Sequence, residues 1–209
     1  ALIEMADSNF CPVILRKGTV YGFSPRMRYD LVINTFVKDS LTRSAITLHC
    51  GGEMWRPLVD VRDASRAYII ALEAEKNTVS GEIFNIAFKN MRISEVGLRV
   101  REALGTIGVE ANIQPDYGYR SVRSYRVSTE KAERVLGMHC GISVEESVVD
   151  MVAQIRHHGY TDFENPKYYN IEWMRVLERA SDAIRVTGDV FGAGKPPDSP
   201  VLLPLDEGR

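Results

Sequence analysis

The sequence has 209 residues, of which 44% are hydrophobic and 26% charged, and its formal net charge is −2. This composition is typical of a globular protein, and the near-zero charge argues against a nucleic-acid partner or an anionic membrane surface. The sequence contains no run of about 18 apolar residues, so no membrane span is predicted. The three widely spaced cysteines, Cys11, Cys50 and Cys140, indicate buried thiols in a reducing cytoplasm and disfavour a disulfide framework or a zinc site.

Strands and helices alternate in the first part of the chain. In chain order, apolar periodicity predicts a helix end over 1–7, a strand over 11–16, a helix over 27–41, a strand over 46–49, an extended segment over 57–61 and a helix over 63–72. The strand over 11–16 is rich in β-branched residues and is predicted to be buried on both faces. Asp63 is the predicted cap of the helix that follows it, whose packed face contains Ala64, Ala67, Tyr68, Ala71 and Leu72.

The second part of the chain continues this alternation. The patterns predict a buried strand over 83–87, a helix over 94–104, a weak strand over 125–127, and helices over 129–136, 143–155 and about 173–184. Gly137 is a predicted helix end, and Ser143 opens a capping box. The residues after Thr187 are rich in glycine and proline and predict a poorly ordered tail.

The predicted fold class is α/β. The strands over 11–16 and 83–87 have the composition of parallel-sheet strands, and two strands are too few for a stable doubly wound sheet. We therefore expect the C-terminal part of a Rossmann-like doubly wound fold, joined to a small mixed α/β domain. No nucleophile elbow, glycine-rich phosphate loop or metal-ligand spacing occurs in the chain, so no metal is predicted.

Two groups of arginines are candidates for binding an anion. Arg56 lies between Trp55 and Pro57, and a guanidinium among bulky apolar neighbours is usually held by a carboxylate or a phosphate. The sequence leaves a structural ion pair and a ligand site equally open. Arg120, Arg123 and Arg126 lie in a stretch rich in tyrosine and serine, which suits either a phosphate and sugar site or a solvated loop.

An ordered series of motifs over about residues 1–155 resembles the extended short-chain dehydrogenase/reductases, the NAD-dependent epimerases and dehydratases of nucleotide sugars. The resemblance is carried by residues 13–22 (VILRKGTVYG), 27–31 (MRYDL), 46–52 (ITLHCGG), 55–63 (WRPLVDVRD), 84–86 (FNI) and 125–132 (YRVSTEKA). It implies a cytoplasmic enzyme with NAD as cofactor (NADP is the alternative), a nucleotide-sugar substrate and a homodimer formed partly by the helix that ends at 1–7. It further implies that 1–24 and 57–88 end the NAD-binding domain, that 25–56 and 89–175 form the substrate-binding domain, and that 176–209 are a helix end and tail.

The resemblance also implies a set of site residues. The backbone of Gly18 and Val20 would approach the nicotinamide end of NAD. Substrate-binding residues would be Thr19, Leu31 at the start of a helix, Thr47, His49, Arg56 on the diphosphate, and either Arg120 or Arg123 as a second cation.

The departures from the family pattern limit what this chain is expected to do alone. The glycine-rich dinucleotide turn and the catalytic Tyr-x-x-x-Lys pair are expected upstream of Ala1, and no tyrosine of the chain is followed four residues later by a lysine. Lys17 replaces the usual proline, and Asp60 stands where a histidine or tyrosine is common. Two alternatives remain: an extended-family reductase acting on a non-nucleotide substrate, and a non-catalytic NAD(P)-sensing or scaffold relative.

Overall fold

The computed structural model describes residues 2–7, 9–118 and 123–187, with side chains up to Arg185. Its helices are α1 (Val32–Arg43), α2 (Val61–Glu73), α3 (Lys76–Val79), α4 (Ile93–Thr106), α5 (Glu130–Leu136), α6 (Val144–His158) and α7 (Asn170–Thr187). Its strands are β1 (Ile14–Lys17), β2 (Thr19–Tyr21), β3 (Ala45–His49), β4 (Trp55–Asp60), β5 (Ile83–Ile86), β6 (Lys89–Arg92) and β7 (Asn112–Asp116). Short 3-10 turns lie at Ile3–Met5, Cys50–Gly52 and Pro166–Tyr168. The predicted α/β class is confirmed.

The strands form three small sheets that are dominated by parallel pairing. Strand β1 pairs with β5, β2 with β4, and β3 with β7, all in parallel, while β6 adds to β4 in antiparallel orientation. The sequence predicted two strands of parallel-sheet composition, which correspond to β1 and β5, and the structure pairs them with each other. Strands β2, β6 and β7 were not predicted from the sequence. Strand β2 has only three residues, and β6 and β7 are largely polar, so none of the three shows an apolar run.

Two hydrophobic clusters form the core. The larger cluster is built mainly from α1, α4, α6 and β3, with Ile33, Ile46, Val100 and Met151 among its fully buried residues. The smaller cluster joins β4, β5 and α2 to α5, through residues such as Val59, Phe84 and Ala132. Helix α5 lies in the region predicted to form the substrate-binding domain, far along the chain from β4, β5 and α2. The smaller cluster therefore packs together segments that are distant in sequence.

Three predictions for the first 41 residues need correction. Residues 3–5 form one 3-10 turn instead of α-helical turns, and the Asp7 carboxylate ends it by accepting the N–H groups of Asn9 and Phe10. Strand β1 is half-buried at its start and exposed at its end, since β5 alone pairs with it among the described residues. Helix α1 begins at Val32 instead of 27.

The late start of α1 has a tertiary cause. The Tyr29 N–H donates to the carbonyl of Tyr168, which is distant in sequence, and the Tyr29 carbonyl accepts from the Thr35 hydroxyl. These bonds hold the backbone before Leu31 outside the helix and bury the Tyr29 ring completely. The spacing of apolar residues could not reveal these hydrogen bonds. Met27 and Tyr29 are fully buried, as the apolar residues of a helix would be, although both lie before the helix begins.

The cap of α2 is Asp60, not Asp63. The Asp60 carboxylate accepts from the Arg62 N–H and pairs with the Arg62 guanidinium, with Nε to Oδ1 at 3.0 Å. Asp63 is buried in the first turn and accepts the N–H groups of Gly141 and Ile142. The alanines of the predicted stripe are buried as expected, but Tyr68 is 44% exposed and Leu72 is 85% exposed.

The second half of the chain follows the predictions more closely. Helix α5 ends at Gly137 in the left-handed conformation, and the Ser143 hydroxyl accepts the Glu146 N–H at the start of α6. Residues 125–127 are not a strand, because Val127 bonds to the Asn90 side chain instead of a strand backbone. The predicted tail after Thr187 lies outside the described residues.

The three cysteines are half-buried, where full burial was expected. We expect Cys140 to resist alkylation at pH 8. Burial, followed by the nearby Asp63 carboxylate, raises the pKa of its thiol from 9.0 to about 11. The reactive thiolate is therefore about 100-fold scarcer than for an unshifted thiol, as each pKa unit is a factor of ten. Iodoacetamide labelling followed by peptide mass spectrometry, with urea-unfolded protein as the control, measures this. Rapid labelling of Cys140 in the folded protein at pH 8 would contradict the expectation.

Candidate functional site

A cavity of about 350 Å³, here called the Arg56 cavity, brings together residues from β2, β3, β4, α1 and the start of α4. It is lined by Thr19, Val32, Phe36, Thr47, His49, Met54, Arg56 and Ile93. Half of these residues are apolar, and the others offer two hydroxyls, an imidazole and a guanidinium. An apolar lining with a few convergent polar groups is typical of a small-molecule site.

Arg56 is held in this cavity without a carboxylate. Its Nη1 donates to the carbonyls of Trp55 and Arg123, and its guanidinium lies over the Tyr125 ring, 5.3 Å from the ring centroid. Within residues 2–7, 9–118 and 123–187, no carboxylate lies within ion-pair distance of Arg56. The structural ion pair that the sequence left open is therefore absent from this part of the chain. A half-buried guanidinium neutralised by no described residue is a favourable place for an anionic ligand.

His49 and Thr47 line the cavity from β3. The His49 Nδ1 lies 2.7 Å from Asp116 Oδ2, across the parallel pair formed by β3 and β7. The pKa of the Asp116 carboxyl is lowered, first by the hydrogen bond from the Gly118 N–H and then by His49. The Thr47 hydroxyl accepts from the Arg43 guanidinium at 3.1 Å.

A second cavity of about 420 Å³, here called the Gly18 cavity, lies beside the first. Its lining residues are Lys17, Gly18, Thr19, Val20, Tyr21, Gly22, Ser24, Arg28, Leu31, Asn34 and Val61. Thr19 lines both cavities, so the two spaces meet at this residue. A ligand in one cavity would lie next to a ligand in the other.

Gly18 is constrained by packing. A Cβ atom at this position would lie 2.7 Å from the Pro57 carbonyl oxygen, and the Gly18 N–H donates to the Ile86 carbonyl. Val20 pairs in register with Val59. The N–H of Gly18 is therefore engaged within the protein, and any contact with a cofactor would come from other backbone atoms of this stretch.

Leu31 is the N-cap residue of α1 and does not line the Arg56 cavity. It lines the Gly18 cavity instead, so the first turn of α1 begins at that space. The N-terminal N–H groups of a helix favour a negatively charged partner. Arg28, which also lines the Gly18 cavity, makes a two-point contact with Asp30, with Nε to Oδ1 at 2.7 Å and Nη2 to Oδ2 at 2.9 Å.

The structure gathers four predicted substrate residues in one cavity: Thr19, Thr47, His49 and Arg56. Arg123 reaches this group through its backbone carbonyl, which accepts from Arg56. Arg120 lies outside the described residues. Sequence reasoning missed Asp116 and the apolar lining residues Val32, Phe36, Met54 and Ile93. Helical spacing did place Val32 and Phe36 on one face of α1, but spacing does not distinguish a cavity wall from the core.

Other parts of the described chain show no second candidate of this kind. A wider, open groove of about 650 Å³ between α4 and α6 is lined largely by acidic residues, including Glu102, Glu145 and Asp150. Within the described residues, no three metal-ligating side chains cluster together, and no helix is both long and apolar enough to cross a bilayer.

The fold and the two adjoining cavities define a protein of the Rossmann-like α/β class. Residues 2–87 match the model of the NAD dependent epimerase/dehydratase family. The match agrees with the resemblance found in the sequence, which is thereby confirmed for residues 2–87.

Several solved structures are similar to this chain. The UDP-glucuronic acid 4-epimerase of Bacillus cereus, in complex with UDP-glucuronic acid and NAD, is 26% identical with a TM-score of 0.55 over 70% of this chain and 45% of its own. The UDP-glucose 4-epimerase of Thermotoga maritima, with UDP-glucose, is 24% identical with a TM-score of 0.57 over 69% and 45%. The dTDP-glucose 4,6-dehydratase of Bacillus anthracis, in complex with NAD, is 18% identical with a TM-score of 0.58 over 79% and 49%. The chain thus spans about half the length of the structures it matches.

Proposed function

We propose that this chain is the substrate-binding portion of an NAD-dependent nucleotide-sugar epimerase or dehydratase. The observation that carries the proposal is Arg56, a half-buried guanidinium that no described carboxylate neutralises, in a cavity that adjoins the Gly18 cavity. A diphosphate supplies the negative charge and paired oxygens that a guanidinium binds best. The similar epimerases in complex with UDP-sugars support this choice of ligand.

In this proposal the Arg56 cavity holds the nucleoside diphosphate. Its apolar residues, Phe36 and Ile93 among them, offer a surface to the face of a nucleobase, while Thr19 and Thr47 offer hydroxyls to the sugar or phosphates. Arg123 is the remaining described candidate for the second cation that binds the diphosphate. Holding both ends of the ligand fixes which sugar carbon faces the adjoining cavity, which is a positioning contribution to catalysis.

The Gly18 cavity is the proposed place for the nicotinamide end of the cofactor. NAD, when bound, accepts a hydride from the sugar and returns it. The stretch over 18–20 suits this role because it runs along the cavity and because Thr19 reaches both spaces. The first turn of α1 would add positive potential beside a cofactor phosphate, whereas the Arg28 guanidinium is already neutralised by Asp30.

The whole protein is proposed to act as a cytoplasmic homodimer. The segment over 2–5 exposes 57% of Leu2 and 62% of Met5, which suits a place in a subunit interface. The domain division at 24, 56 and 88 remains a prediction of the same proposal.

The decisive experiment uses the complete protein that carries these residues. We expect it to bind UDP or dTDP in calorimetry and, with NAD, to convert a UDP-hexose or dTDP-hexose, followed by NMR of the sugar. A sugar phosphate without a nucleoside is the matched control and should bind far more weakly. Equal affinity for both ligands would support the reductase alternative, and nucleotide binding without turnover would support the non-catalytic relative.

A further inference from the structure

Helix α7 separates its charged residues from its apolar residues. Within residues 171–185 the charged side chains are Glu172, Arg175, Glu178, Arg179, Asp182 and Arg185. The opposite face, here called the Leu177 face, has no charge and consists of Trp173, Met174, Val176, Leu177, Ala180, Ser181, Ala183 and Ile184. Its central row is spaced by four, three and four residues, from 173 to 184. This spacing keeps side chains in line along a helix and forms the seam through which two helices pair.

The Leu177 face becomes more exposed as the helix proceeds. Among the described elements, α7 packs mainly against the Pro166–Tyr168 turn that precedes it. Trp173 is half-buried beside this turn, while Leu177 is 45% exposed and Ile184 is 63% exposed. The row from 173 to 184 is about 17 Å long at 1.5 Å per residue. A continuous exposed apolar row of this length indicates a surface that binds a partner.

We propose that the Leu177 face binds the same face of a second copy of this chain, with the two helices antiparallel. A two-fold axis between residues 178 and 179 places Trp173 opposite Ile184 of the partner subunit, and Leu177 opposite Ala180 of the partner subunit. Each layer then joins a larger side chain to a smaller one, which fills the seam evenly. A parallel pair in register would crowd two tryptophans into one layer and leave two alanines in another.

The order of charges along α7 also favours the antiparallel pair. The same two-fold axis brings each charge to the level of an opposite charge on the partner helix. The matched pairs are Glu172 with Arg185, Arg175 with Asp182, and Glu178 with Arg179. A parallel pair in register would place like charges at every level instead. These residues lie outside the seam, so they select the orientation and add little affinity.

The position of α7 in the chain leads to the same orientation. The rest of the described protein is attached at the Asn170 end of a helix that is about 27 Å long. In an antiparallel pair the two protein bodies lie at opposite ends of the seam and do not collide. This interface is separate from the segment over 2–5, so a complete protein that already dimerises there would form a larger assembly.

Sedimentation velocity of the complete protein between about 1 and 200 µM tests this association. We expect the mass to rise by a factor of about two or more, because a two-fold contact adds a second copy to whatever assembly exists at low concentration. Leu177→Glu should weaken the association at least about 100-fold, because two-fold symmetry places two unpaired carboxylates in the seam.

Ile171→Glu is the matched control for Leu177→Glu. Ile171 is also apolar and is 70% exposed, but it lies on the charged face of the same helix. We expect this variant to associate within about twofold of the unaltered protein, as is usual for a surface substitution. Circular dichroism of both variants verifies that the helix content is retained.

Disulfide trapping tests the direction of the pair. A mixture of Trp173→Cys and Ile184→Cys chains should form a disulfide between the two variants on oxidation. Either variant alone should not, because two copies of one position lie about 16 Å apart along an antiparallel seam, beyond the reach of a disulfide. The native Cys11, Cys50 and Cys140 are common to all samples, so the unaltered protein gives the background.

Three results would overturn the proposal. The first is a mass that does not change with concentration, and the second is an association that survives Leu177→Glu. The third is a disulfide between two copies of Trp173→Cys, which would show a parallel pair. If the mass is constant but a chain ending at Thr187 associates, the residues after Thr187 occupy the Leu177 face and the second copy is the wrong occupant. All of these measurements are made without a nucleotide, so they leave the proposed function to its own test.

Discussion

Replacing Arg56 with alanine should lower the affinity of the complete protein for a nucleoside diphosphate by about 10- to 150-fold. A charge-assisted hydrogen bond contributes about 1.5–3 kcal/mol, and each 1.4 kcal/mol is about a factor of ten in affinity. Arg56→Lys should recover part of the loss, because lysine restores the charge but not the planar pair of donors. Calorimetric titration with UDP measures these differences.

Arg126→Ala is the matched control for Arg56→Ala. The Arg126 guanidinium also lies over an aromatic ring, 4.9 Å from the Trp55 centroid, but Arg126 does not line the Arg56 cavity. We expect its removal to leave UDP affinity within about twofold, as befits an exposed charge outside the site. A melting temperature measured for each variant separates binding from folding. Unchanged UDP affinity with a lowered melting temperature in Arg56→Ala would reject the diphosphate contact.

Replacing Gly52 with alanine should destabilise the chain by about 2–5 kcal/mol. Gly52 has a φ of +77°, and a Cβ atom there would lie 2.6 Å from the backbone nitrogen of Ser94 in the first turn of α4. The left-handed conformation costs about 1–2 kcal/mol with a side chain, and overpacking a backbone contact costs about 1–3 kcal/mol more. Because Gly52 lies between His49 and Met54, the shift of the backbone should also distort the Arg56 cavity.

Gly105→Ala is the matched control near the other end of α4. Gly105 is exposed, its φ is not positive, and nothing lies within 4 Å of a Cβ atom added there. Alanine at this helical position should stabilise the chain by about 0.5–1 kcal/mol. Denaturant titration followed by circular dichroism compares the two variants in the same protein. Equal stability of Gly52→Ala and the unaltered protein would show that the turn at 50–52 is not constrained as described.

The sequence alone determined the features that depend on local patterns. The capping box at Ser143 and the helix end at Gly137 were predicted correctly, because the chemistry that begins or ends a helix lies within a few residues. The run over 83–87 predicted β5 as a strand of a parallel sheet, because its short and mainly apolar sequence is typical of such a strand. The ordered series of motifs over about residues 1–155 showed the resemblance to a family whose model matches residues 2–87.

Tertiary structure decided what depends on partners far away in the chain. The start of α1 depends on a bond from Tyr29 to Tyr168, and the contact that orients His49 joins it to Asp116, 67 residues away. Whether Arg56 forms an ion pair or faces an open cavity likewise depends on which distant groups surround it, here the Arg123 carbonyl and the Tyr125 ring. Periodicity in the sequence shows which residues are apolar and how they are spaced, but it does not specify which polar groups the completed fold leaves without an opposite charge.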